Sequence, residues 1–348
     1  MEFLYEYGLF LLKAITIVAA FIIVLGSIIS AAAKNKPASG GEVQIRDLSE
    51  ELDSLKGSLE KVVCTKEELT RNDKEKKKKD KAEAKERKKQ STEDTDTSRL
   101  FVLDFDGDVK ASAAENLREE ITAVLAIAKP KDSVLVRLES FGGMVHSYGF
   151  ASSQLSRIKD SGLKLVISVD KVAASGGYMM ACVADKIIAA PFAILGSIGV
   201  LAQIPNFNRI LRKHDIDLEL HTAGEYKTTL TMFGENTDKD REKFKEDIEE
   251  THQLFKAHVN QHRPALDIDQ VATGETWYGS QALANSLIDE VKTSDDYILE
   301  HAKTNKVFAL SYEFKKPLAE KLGLGVAAFA DKALQTFIGA RKQEELVK

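Results

Sequence analysis

A chain of 348 residues, 43% of them apolar or aromatic, has material for one large domain or two modest ones with appendages. The formal net charge of −5 conceals a basic run at 71–90, eleven Lys and Arg against five acids, which leaves −11 on the remainder and argues against a nucleic-acid binder. The two cysteines, Cys64 in a charged segment and Cys182 in an apolar run, do not read as a disulfide framework.

The first element is apolar. From Ala14 to Ala33 twenty residues carry no charge (AITIVAAFIIVLGSIISAAA). As a helix they span about 30 Å, the thickness of a bilayer core. Ala31 and Ala33 would suit signal-peptide cleavage, but the stretch exceeds the usual apolar region of roughly 7–15 residues, so residues 1–33 are expected to be a retained single-pass anchor. Residues 34–98 read as a charged linker or stalk, partly disordered or coiled-coil. Within it, Leu48, Leu52, Leu55 and Leu59 share a helical face suited to a coiled coil between protomers or to a plain stalk. The lysine run that follows suits a solvated linker better than a patch for anionic lipid.

At Leu100 the character changes. Apolar runs at 100–108, 133–140 and 163–170 read as buried strands, and 186–190 and 217–221 as further strands. Between the first two, Leu117, Ile121, Val124, Leu125 and Ala128 fall on one helical face, and 144–161 is compatible with another helix. Phe244, Ile248, Leu254, Phe255 and Val259 mark an amphipathic helix over 238–260. Strand–helix–strand alternation predicts an α/β domain with parallel βα units over 99–310. Residues 311–348 read as an amphipathic tail, expected either to pack between subunits or to be an ordinary C-terminal helix.

Three glycine-bearing turns each follow an expected strand: ESFGGMVHS (139–147), KVAASGGYMMA (171–181) and LGSIGV (195–200). In open α/β folds, sites form outside the carboxyl ends of strands, so these turns can converge. Gly142 and Gly143 leave backbone amides bare, as an oxyanion hole needs. Ser175, set among alanines and glycines at a helix start, is placed like a nucleophile or like plain tight packing. A serine hydroxyl needs a base. Three candidates remain open on pattern alone: His146 just past the Gly-Gly turn, Lys171 four residues before the serine, and Lys227 in TAGEYKTTLTMFGE. A lysine qualifies only where burial away from acids disfavours its charge.

SFGG at 140–143, AASGGYMMA at 173–181, GSIGV at 196–200, AGEYKT at 223–228 and GETWYGSQALANSLIDEV at 274–291, in that order, resemble the signal peptide peptidase A family of bacterial serine peptidases, and most closely its single-domain membrane members. The resemblance covers nearly the whole chain, including the apolar N-terminus and the charged linker. It implies a spiral α/β domain like that of the crotonases and the caseinolytic protease, preceded by one transmembrane helix. It implies a Ser–Lys dyad of Ser175 and Lys227, with Gly143 and the amide of Gly176 as oxyanion donors and Ser197 supporting the lysine. Two departures stand out. Phe141 occupies the place of a proline in the family's S-P-G-G turn, which removes proline's preset φ. TTLTMF follows Lys227 where many members carry an aspartate.

The expected protein is a membrane-anchored serine endopeptidase acting on unfolded or signal-peptide-like apolar segments. It needs no metal or organic cofactor and binds no nucleic acid. It contacts lipid through residues 14–33 and assembles as a homo-oligomeric ring in which Ser175 and Lys227 can come from adjacent subunits. The family's arrangement puts the catalytic domain on the outer face of the bacterial inner membrane. Lys34, Lys36 and Arg46 after the span argue for a cytoplasmic orientation instead, but the densest charge lies beyond the reach of the positive-inside rule, so a periplasmic domain is expected. The competing readings are a catalytically weak membrane scaffold and a crotonase-like thioester enzyme, against which the serine, the lysine and the anchor together argue.

Overall fold

The computed structural model describes residues 6–10, 13, 16, 41–71, 74, 78 and 98–313. Two compact units divide the chain: Val43–Tyr312, which holds nearly all the elements below, and the two ends, Met1–Glu42 with Glu313–Lys348. Among the described residues no helix is long and apolar enough to cross a membrane. The expected anchor at 14–33 lies, but for Thr16, outside them, as does the tail beyond Glu313.

An edge strand β1 (Glu42–Asp47) and helix α1 (Leu48–Val63) come first. Asp47 starts the helix by accepting the Glu50 N–H. Leu48 and Leu52 pack on a cluster that includes Leu100, Val102, Tyr297 and Val307, whereas Leu55 and Leu59 face solvent. The Val307 N–H also donates to Ser49 Oγ at 2.9 Å. The four-leucine face is therefore split. Its first half serves this chain's own core, and residues 42–63 join the folded body rather than a connector.

Strand–helix alternation then follows as expected: β2 (Arg99–Gly107), α2 (Ala114–Ile127), β3 (Ser133–Ser140), α3 (Val145–Asp160) and β4 (Lys164–Val169). The strands are buried over near-continuous apolar runs because helices cover both faces, and Leu117, Ile121 and Val124 form the covering stripe of α2. Next come β5 (Val172–Ala174), α4 (Gly176–Ala181), β6 (Lys186–Ala189) and β7 (Ile194–Gly196), then α5 (Asn208–Lys213) and α6 (Asp238–His262). The last elements are α7 (Ile268–Val271), β8 (Thr276–Tyr278), α8 (Gly279–Ala284), β9 (Glu290–Val291), α9 (Ser294–His301) and β10 (Lys306–Glu313). A reciprocal cap, Thr237 Oγ1 with the Asp240 N–H and the Asp240 carboxylate with the Thr237 N–H, fixes the start of α6. Phe255 and Val259 of that helix are buried, but Leu254 faces solvent, contrary to the sequence expectation.

The sheet order is β1-β10-β2-β3-β4-β6-β9, parallel from β10 to β9. A short branch leaves it at the carboxyl end of β3. Ser140 pairs with Ala173 of β5, and Ala174 pairs with Gly196 of β7. β8 closes the branch antiparallel to β7. The expected strand at 217–221 does not form. Its alternation is genuine, but Leu218 and Leu220 are 49% and 57% exposed and no described strand offers them a ladder.

Candidate active site

The branch explains how three turns distant in sequence meet. β3, β5 and β7 are hydrogen-bonded neighbours, and within one or two residues of their paired ends stand Gly142, Ser175 and Ser197. Ser175 adopts φ +52° and ψ −119°, a conformation that L residues rarely take and that costs on the order of 1 kcal/mol or more. Backbone bonds on both sides hold it. Its N–H donates to the Gly196 carbonyl at 2.8 Å, and its own carbonyl accepts the Met179 N–H at 3.0 Å. A strained strand-to-helix turn of this kind lifts a side chain clear of the backbone. Ser175 opens into a cleft lined by Gly143, Val145, Gly176, Met179, Val200 and Phe255.

The small neighbours are required by space. A Cβ at Gly142, itself at φ +87°, would lie 2.7 Å from the Gly176 nitrogen and from Ser175 Cβ. A Cβ at Gly176 would lie 2.4 Å from Cγ of the fully buried Tyr148 ring. The Gly-Gly turn thus lies directly on the serine turn. The amide of Gly176, at the first position of α4, has no acceptor within its own helix.

Ser197 is also strained, at φ +50°, and its N–H donates to the Glu275 carbonyl at 2.6 Å. Gly143, Ser175 and Gly176 are therefore brought to one cleft, with Ser197 one residue past the carbonyl that anchors Ser175. Lys227 is not brought to the cleft in the single chain. It lies exposed on a turn closed by its N–H to the Gly224 carbonyl at 3.2 Å. That turn is tied to α6 by Glu225, which pairs with Lys239 at 2.7 Å, and by the Tyr226 ring, 5.7 Å from the ammonium groups of both Lys239 and Lys243. Among the described residues no acid pairs with Lys227 itself.

The other candidate bases fare differently. Lys171 bonds both oxygens of Glu139, at 2.8 and 3.1 Å, and this carboxylate raises its pKa above the ordinary lysine value. That is the wrong direction for a base. His146 is exposed on the first turn of α3 and makes no hydrogen bond or ion pair among the described residues. The sequence did not single out the rear wall of the site. There Ser152 Oγ donates to the Met179 carbonyl, and His258 Nε2 lies 3.1 Å from the same oxygen. Burial lowers the His258 pKa. Phe255 was legible only as an apolar helix position, not as a cleft wall.

An α/β domain whose strand ends present a strained serine beside bare glycine amides has the geometry that acyl-transfer hydrolases use. Two family profiles match the chain, Peptidase family S49 N-terminal over residues 2–155 and Peptidase family S49 over residues 157–308. The chain belongs to peptidase family S49 and is a peptidase. It is 53% identical over 327 residues to the probable protease SohB of Haemophilus influenzae, with 92% of each chain covered. It is 41% identical over 331 residues to the putative protease SohB of Buchnera aphidicola subsp. Baizongia pistaciae, covering 92% of this chain and 94% of that one. Among solved structures, a mutant of the membrane-bound stomatin-specific protease 1510-N in complex with a substrate peptide aligns with 59% of this chain and 80% of its own, at 14% identity and a TM-score of 0.38.

Proposed function

We propose that this peptidase is a membrane-anchored serine endopeptidase working through a Ser175–Lys227 dyad. The observation that carries the proposal is the strained Ser175 turn with Gly142–Gly143 laid against it. Neutral Lys227 takes the Ser175 hydroxyl proton as Oγ attacks the scissile carbonyl. The N–H groups of Gly143 and Gly176 receive the oxyanion. Collapse expels the amine, which takes the proton from the lysine ammonium and leaves an acyl ester on Ser175. Water then attacks the ester with Lys227 again as base. Ser197 helps to hold the lysine.

In a lone chain the exposed Lys227 lies away from the Ser175 cleft and is idle. The proposed partner is a second copy within a homo-oligomeric ring, so that Lys227 enters a neighbour's apolar cleft, where desolvation disfavours its charge. The segment bearing it supports this reading, because within residues 201–235 Leu201, Leu218, Leu220, Met232 and Phe233 are all exposed. The spiral domain, the anchor at 14–33, the linker and the amphipathic tail complete the proposed architecture, with the catalytic domain periplasmic at the inner membrane. Substrates are unfolded, apolar-rich peptides, including signal-peptide-like segments, in keeping with the Val145, Met179, Val200 and Phe255 lining.

The test uses the full chain in detergent with a fluorogenic peptide and unfolded casein. Ser175→Ala and Lys227→Ala each abolish cleavage at unchanged assembly mass. Mixing the two inactive variants after subunit exchange restores part of the activity, because some interfaces then pair an intact serine with an intact lysine. Activity in Lys227→Ala equal to wild type would sink the dyad. No recovery on mixing, with exchange verified, would confine the dyad to one subunit.

A further inference from the structure

We infer that Tyr148 is a positioning residue that holds both oxyanion donors in place. The inference rests on the reading of Ser175 as nucleophile with Gly143 and Gly176 facing the oxyanion. The Phe141-Gly142-Gly143 turn lacks the proline that would preset its φ, so its shape must be imposed from outside. A chain of buried hydroxyls does this. The Gly142 N–H donates to Ser140 Oγ at 3.0 Å, Ser140 Oγ lies 2.5 Å from Tyr148 Oη, and Tyr148 Oη donates to the Asp108 carbonyl at 2.7 Å.

A phenol has one proton; with the Asp108 carbonyl at 2.7 Å receiving it, Ser140 gives its own proton to Tyr148 at 2.5 Å in preference to its other acceptor, the Gly107 carbonyl at 3.4 Å. The chain then runs in one direction, each bond polarising the next. Tyr148 is 0% and Ser140 1% exposed, so no water competes. A Cβ at Gly107 would fall 2.6 Å from both hydroxyl oxygens, so position 107 has no room for a side chain. The same loop is stitched to the turn again one residue on, where the Met144 N–H donates to the Val109 carbonyl at 2.8 Å.

Meanwhile the Tyr148 ring backs Gly176. One side chain thus supports Gly176 with its ring and the turn carrying Gly143 with its hydroxyl. The spacing of the two amides is set through it.

The experiment compares the full-length wild type with Tyr148→Phe, which keeps the ring, with Ser140→Ala, which removes only a hydroxyl, and with the double variant. Wild type must first cleave the peptide and be labelled at Ser175 by a fluorophosphonate. Failure of that step overturns the parent reading and this inference with it. Each single variant is expected to lose about tenfold in kcat with KM within twofold and the pH midpoint unmoved. A peptide aldehyde, whose hemiacetal oxygen occupies the oxyanion hole, should lose affinity by the same factor. The double variant should be no worse than the poorer single one, because both break one chain. Wild-type kcat and aldehyde affinity in Tyr148→Phe would overturn the inference. So would a loss carried by KM, or one explained by a reduced folded fraction.

Discussion

Ser175, Gly142 and Gly176 define one another. The serine's positive φ brings its turn against the Gly-Gly segment, and only residues without a Cβ tolerate that approach. Gly142→Ala adds a methyl where 2.7 Å is available, at a φ that L residues avoid, and is expected to cost about 1–3 kcal/mol of stability. Because the turn must also move away from the serine, kcat should fall about a hundredfold or more; a variant that melts lower yet cleaves normally would separate packing from catalysis at this position. The sequence displayed this cluster as a candidate, since a serine among alanines and glycines suits a nucleophile or plain tight packing alike. It did not display which base serves it. Lys171 and Lys227 look alike on paper, and only the structure places Glu139 against the first. A lysine's chemistry depends on what surrounds its ammonium, and neighbours in sequence do not specify that. Tyr148 escaped notice for a related reason, because a tyrosine on a helical apolar face looks like ordinary core.

At the scale of elements, α2 and β10 meet through a buried carboxyl. Glu120 Oε1 accepts the Tyr312 N–H at 2.7 Å, Asn116 Nδ2 donates to the Tyr312 carbonyl at 3.2 Å, and Glu120 Oε2 is buried without a hydrogen-bond partner among the described residues. Burial raises the Glu120 pKa to about 7. A folded pKa above the unfolded one means that its contribution is fully present below about pH 4.5 and is lost as pH rises through about 7. Glu120→Gln keeps an acceptor for Tyr312 and cannot ionise. It should therefore melt several degrees above wild type at pH 8, on the order of 2 kcal/mol, with the gap closing toward pH 4.5; a gap independent of pH would refute the assignment. His258 and His262 act in the opposite sense. Burial holds both below the usual histidine value, so their contribution is present above about pH 6.5 and lost on acidification. Both proteins carry these histidines, and the difference between them isolates Glu120. Elements with strong periodicity, β2 to β4 and α6, were legible in advance. β5, β7 and β9, of two or three residues each, carry too little pattern to be seen, and 217–221 has the pattern without the neighbour.

On the scale of the whole molecule, the segment from Leu201 to Glu235 differs from the rest. It begins just after the cleft strand β7 and exposes Leu218, Leu220 and Phe233, and α5 is its only helix among the described residues. If that surface is covered by a second copy, Leu218→Asp with Leu220→Asp should lower the assembly mass measured by light scattering and abolish cleavage, while leaving the melting of the core within about a degree or two. Intact assembly in that variant would move the interface elsewhere. The α/β architecture was legible from alternation, but the participation of residues 42–63 was not, because two leucines of one helical face turn to the core and two do not. The branch at the end of β3 has a consequence for how this chain tolerates change. Ser140, Ala173, Ala174 and Gly196 are held at fixed separations by backbone rungs, while the chain between them loops out through whole helices and strands. The turn at Ser161–Gly162 is exposed and open, so lengthening it leaves the rungs untouched. A single residue inserted between Val172 and Ser175 would slide the serine off the Gly196 carbonyl and turn it to the opposite side of the strand. The site works as a caliper, indifferent to the length of the thread between its jaws and closed to a change of one notch within them.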